Sequence, residues 1–222
     1  MKGARNPMRR CVILGGGGHA RVLIDAILLV GQVELHGILL PDESLWGSDV
    51  FGVPVLGGDA LLSSLVAQGV DSFVVGLGSV GDSSIREKLY HYGLDLGLDV
   101  LSVCHPAAIL SPRARYGRGG QFLPGSIVNA GAVIGENVIV NSGAIVEHDC
   151  QIGDHVHIAT GAHLSGTVQI GEGAHIGTGA IVRQGIKIGT NALVGAGAVV
   201  VKDVPPDTLV TGVPAHPRQT ST

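Results

Sequence analysis

Aromatic residues are scarce in this chain of 222 residues, which has three Phe, three Tyr and one Trp. Charged residues make up only 14% of the sequence, whereas 36 residues are glycine. So few bulky side chains argue against helices packed around a Leu/Phe/Trp-rich core, and a hydrophobic content of 45% excludes a disordered chain. The composition favours strands of small and β-branched residues joined by tight turns.

Basic clusters, metal-spaced cysteines and long apolar segments are also missing. With a net charge of −4 and no run of Lys or Arg, we expect neither a nucleic-acid partner nor a membrane surface. The most apolar stretch, residues 12–30, contains two charged residues and a histidine, so it predicts no membrane span and no signal peptide. Cys11, Cys104 and Cys150 lack metal-binding spacing, which predicts reduced thiols in the cytoplasm. Residues 1–7 are polar, and we expect a disordered extension there.

Residues 8–104 alternate short apolar strands with stretches of helical periodicity. The predicted strands are 10–14, 35–40, 72–75 and 100–103, and the predicted helices are 19–30, 59–67 and 83–92. Strands that alternate with helices in this way form βαβ units. The sequence therefore predicts an α/β domain with a parallel sheet over residues 8–104.

A six-residue repeat begins near residue 110, and we place its domain at residues 105–219. Sixteen successive anchor positions are apolar: Leu110, Tyr116, Phe122, Val128, Ile134, Val140, Val146, Ile152, Ile158, Leu164, Ile170, Ile176, Val182, Ile188, Val194 and Val200. This register predicts a β-solenoid in which each hexad is one short strand and Gly, Asn or Asp turns the corner. Three hexads would close one coil, which gives about five stacked coils.

A glycine-rich turn follows the first predicted strand and opens the first helix. Gly15, Gly17 and Ala20 fit G-x-G-x-x-A, the turn with which Rossmann-like domains approach a phosphate group at a helix N-terminus. Only about one mononucleotide-binding half fits before the repeats. The alternative is a glycine-rich turn without a ligand. The candidate nucleotide-binding residues are Gly17, Gly18, His19 and Asp42, with Gly78 and Ser79 as weaker candidates.

Polar residues interrupt the repeat at His148 and Asp149, a corner that carries glycine in other hexads. A histidine whose ring is held by a carboxylate is suited to take a proton from a substrate nucleophile. Gly166 lies three hexads later, one coil along at the same corner, where its N–H is a candidate oxyanion donor. A metal site at His155 and His157 is the less favoured alternative, because no cysteine or carboxylate recurs at a ligand spacing.

These features together resemble the hexapeptide-repeat nucleotide-sugar N- and O-acetyltransferases, a family that includes sialic acid O-acetyltransferase-like proteins. The resemblance covers residues 15–20, 52–57, 105–108, 147–150, 202–205 and 212–215, as well as Asn141 and His157. It implies a small Rossmann-like domain followed by a left-handed parallel β-helix, assembled as a homotrimer with active sites between neighbouring prisms. It also implies the following roles: His148 as general base assisted by Asp149, Asn141 near the reacting amine, Gly166 as N–H donor, His157 in contact with acetyl-CoA, and Thr178 and Ala196 along the CoA groove.

The resemblance implies an acetyl-CoA-dependent N-acetyltransferase that uses no metal and forms no acyl-enzyme. Its acceptor would be the 4-amino group of a nucleotide-linked deoxyamino sugar, with GDP-perosamine favoured over UDP- or dTDP-linked sugars. Two alternatives stay open. One is O-acetylation of a sugar or sialic acid hydroxyl, and the other is a non-enzymatic, nucleotide-binding scaffold trimer.

Overall fold

The structure is a computed structural model, and it describes residues 8–218. The expectation for residues 1–7 lies outside these residues. The chain divides into two compact units. The first comprises the residues up to Leu77 together with Lys88–Leu101, and the second comprises Gly78–Glu87 and the residues from Ser102 onward. The segment Gly78–Glu87 therefore belongs to the solenoid unit, although the sequence analysis placed it in the α/β domain.

The first unit is built on a six-stranded sheet with three α-helices in the order expected of βαβ units. The elements are β1 (Arg9–Leu14), α1 (Gly18–Val30), β2 (Val33–Leu39), β3 (Asp49–Val50), β4 (Val53–Gly57), α2 (Leu62–Ala67), β5 (Ser72–Val75), α3 (Ser84–Asp95) and β6 (Asp99–Val100). The first four residues of α3 belong to the second unit. Short 3-10 helices cover Glu43–Leu45 and Asp59–Leu61. The strand order is β3-β4-β2-β1-β5-β6, and every pairing is parallel except that of β3 with β4.

Two parts of the first unit differ from the sequence prediction. The single strand predicted at 100–103 is two strands: β6 pairs with β5, whereas Val103–Cys104 pairs with Gln121–Phe122 in the solenoid. The hairpin β3–β4 was missed. Its two-residue turn holds Phe51 and Gly52 at φ values of 52° and 81°, the left-handed conformation that tight hairpin turns require. A phenylalanine at such a position gives no turn signal in the sequence.

The second unit is a parallel β-solenoid with three faces. Face A contains Val103–Cys104, Gln121–Phe122, Ile139–Val140, His157–Ile158, His175–Ile176, Leu193–Val194 and Leu209–Thr211, with His216–Pro217 added antiparallel at the end. Face B contains Ile109–Leu110, Ile127–Val128, Ile145–Val146, His163–Leu164, Ile181–Val182 and Val199–Val200. Face C contains Arg115–Tyr116, Val133–Ile134, Gln151–Ile152, Gln169–Ile170 and Lys187–Ile188.

The predicted hexad register is confirmed strand by strand. Each anchor is the second residue of a two-residue strand, and each such strand pairs with the strand three hexads along, as in Phe122 with Val140. For the anchors from Tyr116 to Val194, the third residue after the anchor has a positive φ, whether it is glycine, as Gly143 is, or Asp149. Glycines directly after an anchor serve a different need. A Cβ on Gly153 would lie 2.7 Å from the backbone nitrogen of Glu172 in the next coil.

The solenoid core consists of the anchors and the small residues of the corners. Anchors from Phe122 to Val200 are buried, together with alanines such as Ala144 and Ala162. A single coil exposes one side of this core, so stacking of coils supplies most of the burial. Among residues 8–218, no helix is long and apolar enough to cross a bilayer.

Candidate functional site

The side chains of His148 and Asp149 are hydrogen-bonded to each other at the corner between faces B and C. The Nδ1 of His148 lies 2.9 Å from Oδ2 of Asp149, and both side chains are more than half exposed. Asp149 has a φ of 59°, so the left-handed turn of this corner lies within the pair itself. Because a carboxylate only accepts hydrogen bonds, Nδ1 carries a proton, and in the neutral imidazole Nε2 is then the nitrogen with the lone pair.

Gly166 faces the other side of the same imidazole. A Cβ built on Gly166 would lie 2.5 Å from Nε2 of His148, closer than any side-chain atom can approach. Within the described part of the chain, the N–H of Gly166 has no acceptor, whereas the next N–H, of Thr167, bonds the carbonyl of His148 at 2.9 Å. Because Gly166 has no side chain, Nε2 of His148 and the unused N–H donor of Gly166 lie next to each other.

A second group of predicted residues surrounds a pocket of about 370 Å³ on face A and its corner with face B. Asn141, His157, Thr178 and Ala196 all line it. The pocket is also lined by Val80, Ala159, Thr160, His175, Gly177, Leu193, Val194 and Gly195. The solenoid thus gathers all three predicted CoA-contacting residues, together with Asn141, around one pocket.

Both ring nitrogens of His157 are engaged. Nδ1 lies 2.6 Å from the carbonyl oxygen of Ser79, and Nε2 lies 3.1 Å from Nδ2 of Asn141. The ring of His175 packs edge-on against that of His157, with centroids 4.9 Å apart. Burial, and secondly the charge of Arg86, lowers the pKa of His175 below its ordinary value. His175 is therefore a neutral ring in the wall of the pocket.

The two groups lie at opposite edges of face B. Asn141 precedes the strand Ile145–Val146 and belongs to the A–B corner, whereas His148 follows the same strand at the B–C corner. The first residues of the face B strands point outward, because side chains alternate along a strand. All but His163 are apolar: Ile109, Ile127, Ile145, Ile181 and Val199. Asn141 and His148, grouped by the sequence analysis, are therefore separated within one chain by an apolar face.

In the glycine-rich turn of the first unit, two glycines pack against neighbouring side chains and two have open space beside them. Gly15 has a φ of 100°, and a Cβ there would lie 2.7 Å from Leu77. A Cβ on Gly16 would collide with the end of the Leu40 side chain, so a larger residue there would have to displace that leucine. Gly17 and Gly18, in contrast, are exposed with open space beside them. The second pair is the one that leaves room for a ligand at the start of α1.

The remaining predicted nucleotide-binding residues are divided between the units. His19 is half-buried in the first turn of α1. Asp42 begins the 3-10 helix Glu43–Leu45 and accepts hydrogen bonds from the hydroxyl and N–H of Ser44 at 2.6 and 3.0 Å, which lower its pKa. Gly78 and Ser79 belong to the second unit, where the Ser79 carbonyl contacts His157.

Sequence reasoning missed three features of the His157 pocket. It assigned Ser79 to the nucleotide only, and it singled out neither Val80 nor His175. His175 is stacked but buried. Its position in the strand one coil along from His157, where the two residues pair directly, was the available signal. Nothing in the repeat could indicate Ser79, because it lies outside the hexads.

The side chains of two other reactive residues, His155 and Cys150, are buried. His155 is buried and its Nδ1 lies 2.9 Å from Nδ2 of Asn137, away from the partners of His157. Burial raises the pKa of the Cys150 thiol to about 11. The thiol is therefore protonated at neutral pH and is a poor nucleophile.

Comparison with protein families and solved structures matches both units. Residues 10–92 match the PglD N-terminal domain family, and residues 123–166 and 167–202 match the bacterial transferase hexapeptide (six repeats) family. No curated protein is similar enough in sequence to count as a match.

Solved acetyltransferases align over nearly the whole chain. A histidine-to-asparagine variant of perosamine N-acetyltransferase from Caulobacter crescentus, in complex with CoA and GDP-perosamine, is 38% identical with a TM-score of 0.89, covering 98% of this chain and 100% of that one. The acetyltransferase domain of PglB from Neisseria gonorrhoeae, in complex with acetyl coenzyme A, is also 38% identical, with a TM-score of 0.86 and coverage of 95% and 99%. WeeI from Acinetobacter baumannii is 28% identical, with a TM-score of 0.84 and coverage of 95% and 100%.

These matches confirm the resemblance inferred from the residues and the predicted fold, a small Rossmann-like domain followed by a left-handed parallel β-helix. The chain belongs to the family of hexapeptide-repeat acetyltransferases that carry a PglD N-terminal domain.

Proposed function

We propose that this protein transfers the acetyl group of acetyl-CoA to the amino group of a nucleotide-linked amino sugar. This proposal rests on the hydrogen-bonded pair of His148 and Asp149, in which Nε2 of His148 lies next to Gly166. Relatives at 38% identity support both substrates, since one was solved with CoA and GDP-perosamine and another with acetyl coenzyme A. Within this class, we propose the 4-amino group of GDP-perosamine as the favoured acceptor.

In the proposed mechanism, His148 acts as the general base and Asp149 fixes its tautomer. The sugar nitrogen attacks the thioester carbonyl, and Nε2 takes the proton that the nitrogen loses. The negative charge on the former carbonyl oxygen is stabilised by the N–H of Gly166. When the tetrahedral intermediate collapses, the C–S bond breaks, and the CoA sulfur takes the proton from the imidazolium. No step uses a protein nucleophile, which agrees with the high pKa of Cys150, about 11.

We propose that the active enzyme is a homotrimer whose sites are shared between copies. The predicted acyl-donor residues lie at one edge of face B, and His148 lies at the other. An apolar sheet face in contact with water needs a cover, and face B exposes Ile109 and Ile181. If three copies covered face B around a common axis, the A–B corner of one copy would meet the B–C corner of the next. The two groups would then form one site.

We place the nucleotide at Gly17, Gly18, His19 and Asp42. In a parallel sheet, ligands bind beyond the carboxyl ends of the strands, where the loop after β1 and the loop after β2 lie. The exposed glycines leave room for a phosphate group at the positive end of α1. All three cysteines of the chain are free thiols, which agrees with the proposed cytoplasmic location.

The test is release of the CoA thiol from acetyl-CoA in the presence of UDP-, GDP- or dTDP-linked sugars that carry either a 4-amino or a 4-hydroxyl group. We expect turnover with an amino sugar and a loss of at least about 100-fold in kcat for His148→Ala. Gln184→Ala, at the same corner two coils along, is the matched control and should keep the wild-type rate.

The other outcomes separate the alternatives. Turnover of only 4-hydroxy sugars would identify an O-acetyltransferase, because the same base can deprotonate a hydroxyl. Wild-type kcat in His148→Ala would refute the base assignment. Absence of acetyl-CoA binding by calorimetry, together with no turnover, would favour the scaffold.

A further inference from the structure

The carboxylate of Asp149 lies against the backbone of Gly131, which occupies the equivalent corner position one coil earlier. A Cβ built on Gly131 would collide with Oδ1 of Asp149 and lie 3.3 Å from its carboxyl carbon. We propose that Gly131 is a positioning residue for the transfer reaction, because its missing side chain leaves the carboxylate room to hold the ring of His148. The inference rests on the proposed function for the reaction that Gly131 affects.

The turn at this corner does not explain the glycine by itself. Four residues follow one another at this position in successive coils, all with a positive φ: Gly131 (78°), Asp149 (59°), Thr167 (60°) and Gly185 (74°). The left-handed conformation is therefore common to all four, and two of them carry a side chain. A Cβ on Gly185 would have only an ordinary contact, 3.8 Å from Oγ1 of Thr167. Of the two glycines, only Gly131 lies against a side chain that the proposed mechanism uses.

The two oxygens of the Asp149 carboxylate have different neighbours. Oδ2 lies 2.9 Å from Nδ1 of His148, whereas Oδ1 is the oxygen next to Gly131. Because one planar carboxylate group carries both oxygens, a group that displaces Oδ1 also moves Oδ2. The main chain of Asp149 is held by its N–H, which donates to the carbonyl of Ala130 at 3.1 Å. A methyl group on Gly131 would therefore turn the Asp149 side chain, and the hydrogen bond to His148 would be lost.

Little else holds this carboxylate in place. The side chains of His148 and Asp149 are 54% and 63% exposed, and within residues 8–218 the His148 ring is the only hydrogen-bond partner of the carboxylate. An exposed pair of this kind is stabilised only weakly, because water competes for both groups. The carboxylate can therefore rotate into water without disturbing the solenoid, so a methyl group on Gly131 should change the pair and not the fold.

The two glycines next to the pair lie on opposite sides of it. His148 leans toward Gly166 in the following coil, and Asp149 leans toward Gly131 in the preceding coil. Gly166 leaves Nε2 accessible, whereas Gly131 leaves Nδ1 its acceptor. Without that acceptor, the neutral ring can carry its proton on Nε2 instead, and Nε2 then has no lone pair with which to take a proton from the sugar nitrogen.

The first test is the tautomer of His148 in the full-length protein without ligands. Long-range ¹H–¹⁵N NMR of protein labelled at histidine nitrogens, at a pH where the ring is neutral, reports which nitrogen is protonated, and the His148→Ala spectrum assigns the signal. We expect Nδ1–H in the wild type and a gain of Nε2–H in Gly131→Ala. Gly185→Ala is the matched control, because it adds a methyl group at the same left-handed position, and it should keep Nδ1–H. An unchanged tautomer in Gly131→Ala overturns the inference.

The second test is steady-state turnover, with folding checked by thermal unfolding. Gly131→Ala should lower kcat at least about tenfold with little change in either KM, whereas Gly185→Ala should keep the wild-type kcat. Gly131→Ala combined with Asp149→Asn should lose no more activity than Asp149→Asn alone, because Gly131 acts through the carboxylate. Losses that multiply in the double variant would mean that Gly131 acts elsewhere, which overturns the inference.

A second variant and the choice of measurement keep these outcomes separate. If Gly131→Ala does not fold, Gly131→Asn provides the same added Cβ in a residue that tolerates a positive φ. The NMR measurement uses no substrate, so its outcome is independent of whether the proposed acceptor is correct.

Discussion

The Cα of Gly166 faces Nε2 of His148 so closely that a methyl group built on it would lie 2.5 Å from that nitrogen. The two residues occupy equivalent corner positions in adjacent coils, three hexads apart. Ala130 and Gln184 occupy the same position in the neighbouring coils, so the backbone of this corner accepts a side chain. The glycine at this position is therefore explained by the histidine and not by the turn.

Gly166→Ala should impair catalysis without unfolding the protein. The added methyl would displace the imidazole or cover Nε2, and we expect kcat to fall at least about 100-fold. The measurement is steady-state turnover of the identified amino sugar, with circular dichroism to verify folding. Ala130→Gly, the converse change at the same corner, should keep the wild-type rate. Normal turnover in Gly166→Ala would show that Nε2 is not the proton acceptor.

Asp149→Asn tests whether the carboxylate sets the histidine tautomer. Asparagine tolerates the φ of 59° at this position, so the turn should persist. Its amide nitrogen can donate to Nδ1 of His148, which would place the proton on Nε2 and abolish its use as a base. We expect kcat to fall about 100-fold or more with little change in the KM of the sugar. Asp207→Asn, at another corner with a positive φ, is the control and should leave kcat unchanged.

Arg86→Met should destabilise the second unit. The substitution leaves the buried carbonyls of Asn137 and His155 without their guanidinium donors. An unsatisfied buried carbonyl costs about 1–3 kcal/mol, so we expect a loss of roughly 2–4 kcal/mol in the free energy of unfolding. Urea denaturation measures this loss, and Arg86→Lys, which keeps the charge and one donor nitrogen in place of two, should lose less. Equal stability of Arg86→Met and the wild type would show that the guanidinium bonds contribute nothing.

Acidification should destabilise the protein through His175. Burial lowers its folded-state pKa, so the unfolded chain binds the proton more readily. Stability is therefore fully present above the ordinary histidine pKa of about 6.5 and is lost as the pH falls below it. One such group contributes a slope of at most about 1.4 kcal/mol per pH unit.

The measurement is the free energy of unfolding at pH 7.5 and pH 5.5 for the wild type and for His175→Gln. The variant should lose less stability between the two pH values, because glutamine does not titrate. An identical loss in both proteins would mean that His175 is not the group that takes up the proton.

The sequence by itself determined the solenoid and the composition of its corners. A strand of two residues with one buried side chain needs an apolar anchor in every hexad, and that requirement is local and periodic. It also indicated His148, Asp149 and Gly166 as neighbours, because three hexads close one coil and place equivalent corners next to each other. The turn at Gly15 could likewise be predicted from the sequence, since its positive φ is a requirement of the local backbone.

Only the tertiary structure decided which contacts cross between parts of the chain that share no repeat. Ser79 lies 78 residues from His157, and no spacing rule connects a loop after β5 to a solenoid strand. The division of 100–103 between two sheets had the same origin, because a short apolar run can pair with either sheet. The tautomer of His157 depends on its two hydrogen-bond partners, and these are fixed by packing over long sequence distances. Local periodicity therefore determined the β-solenoid, and long-range packing determined the hydrogen-bond partners of its functional side chains.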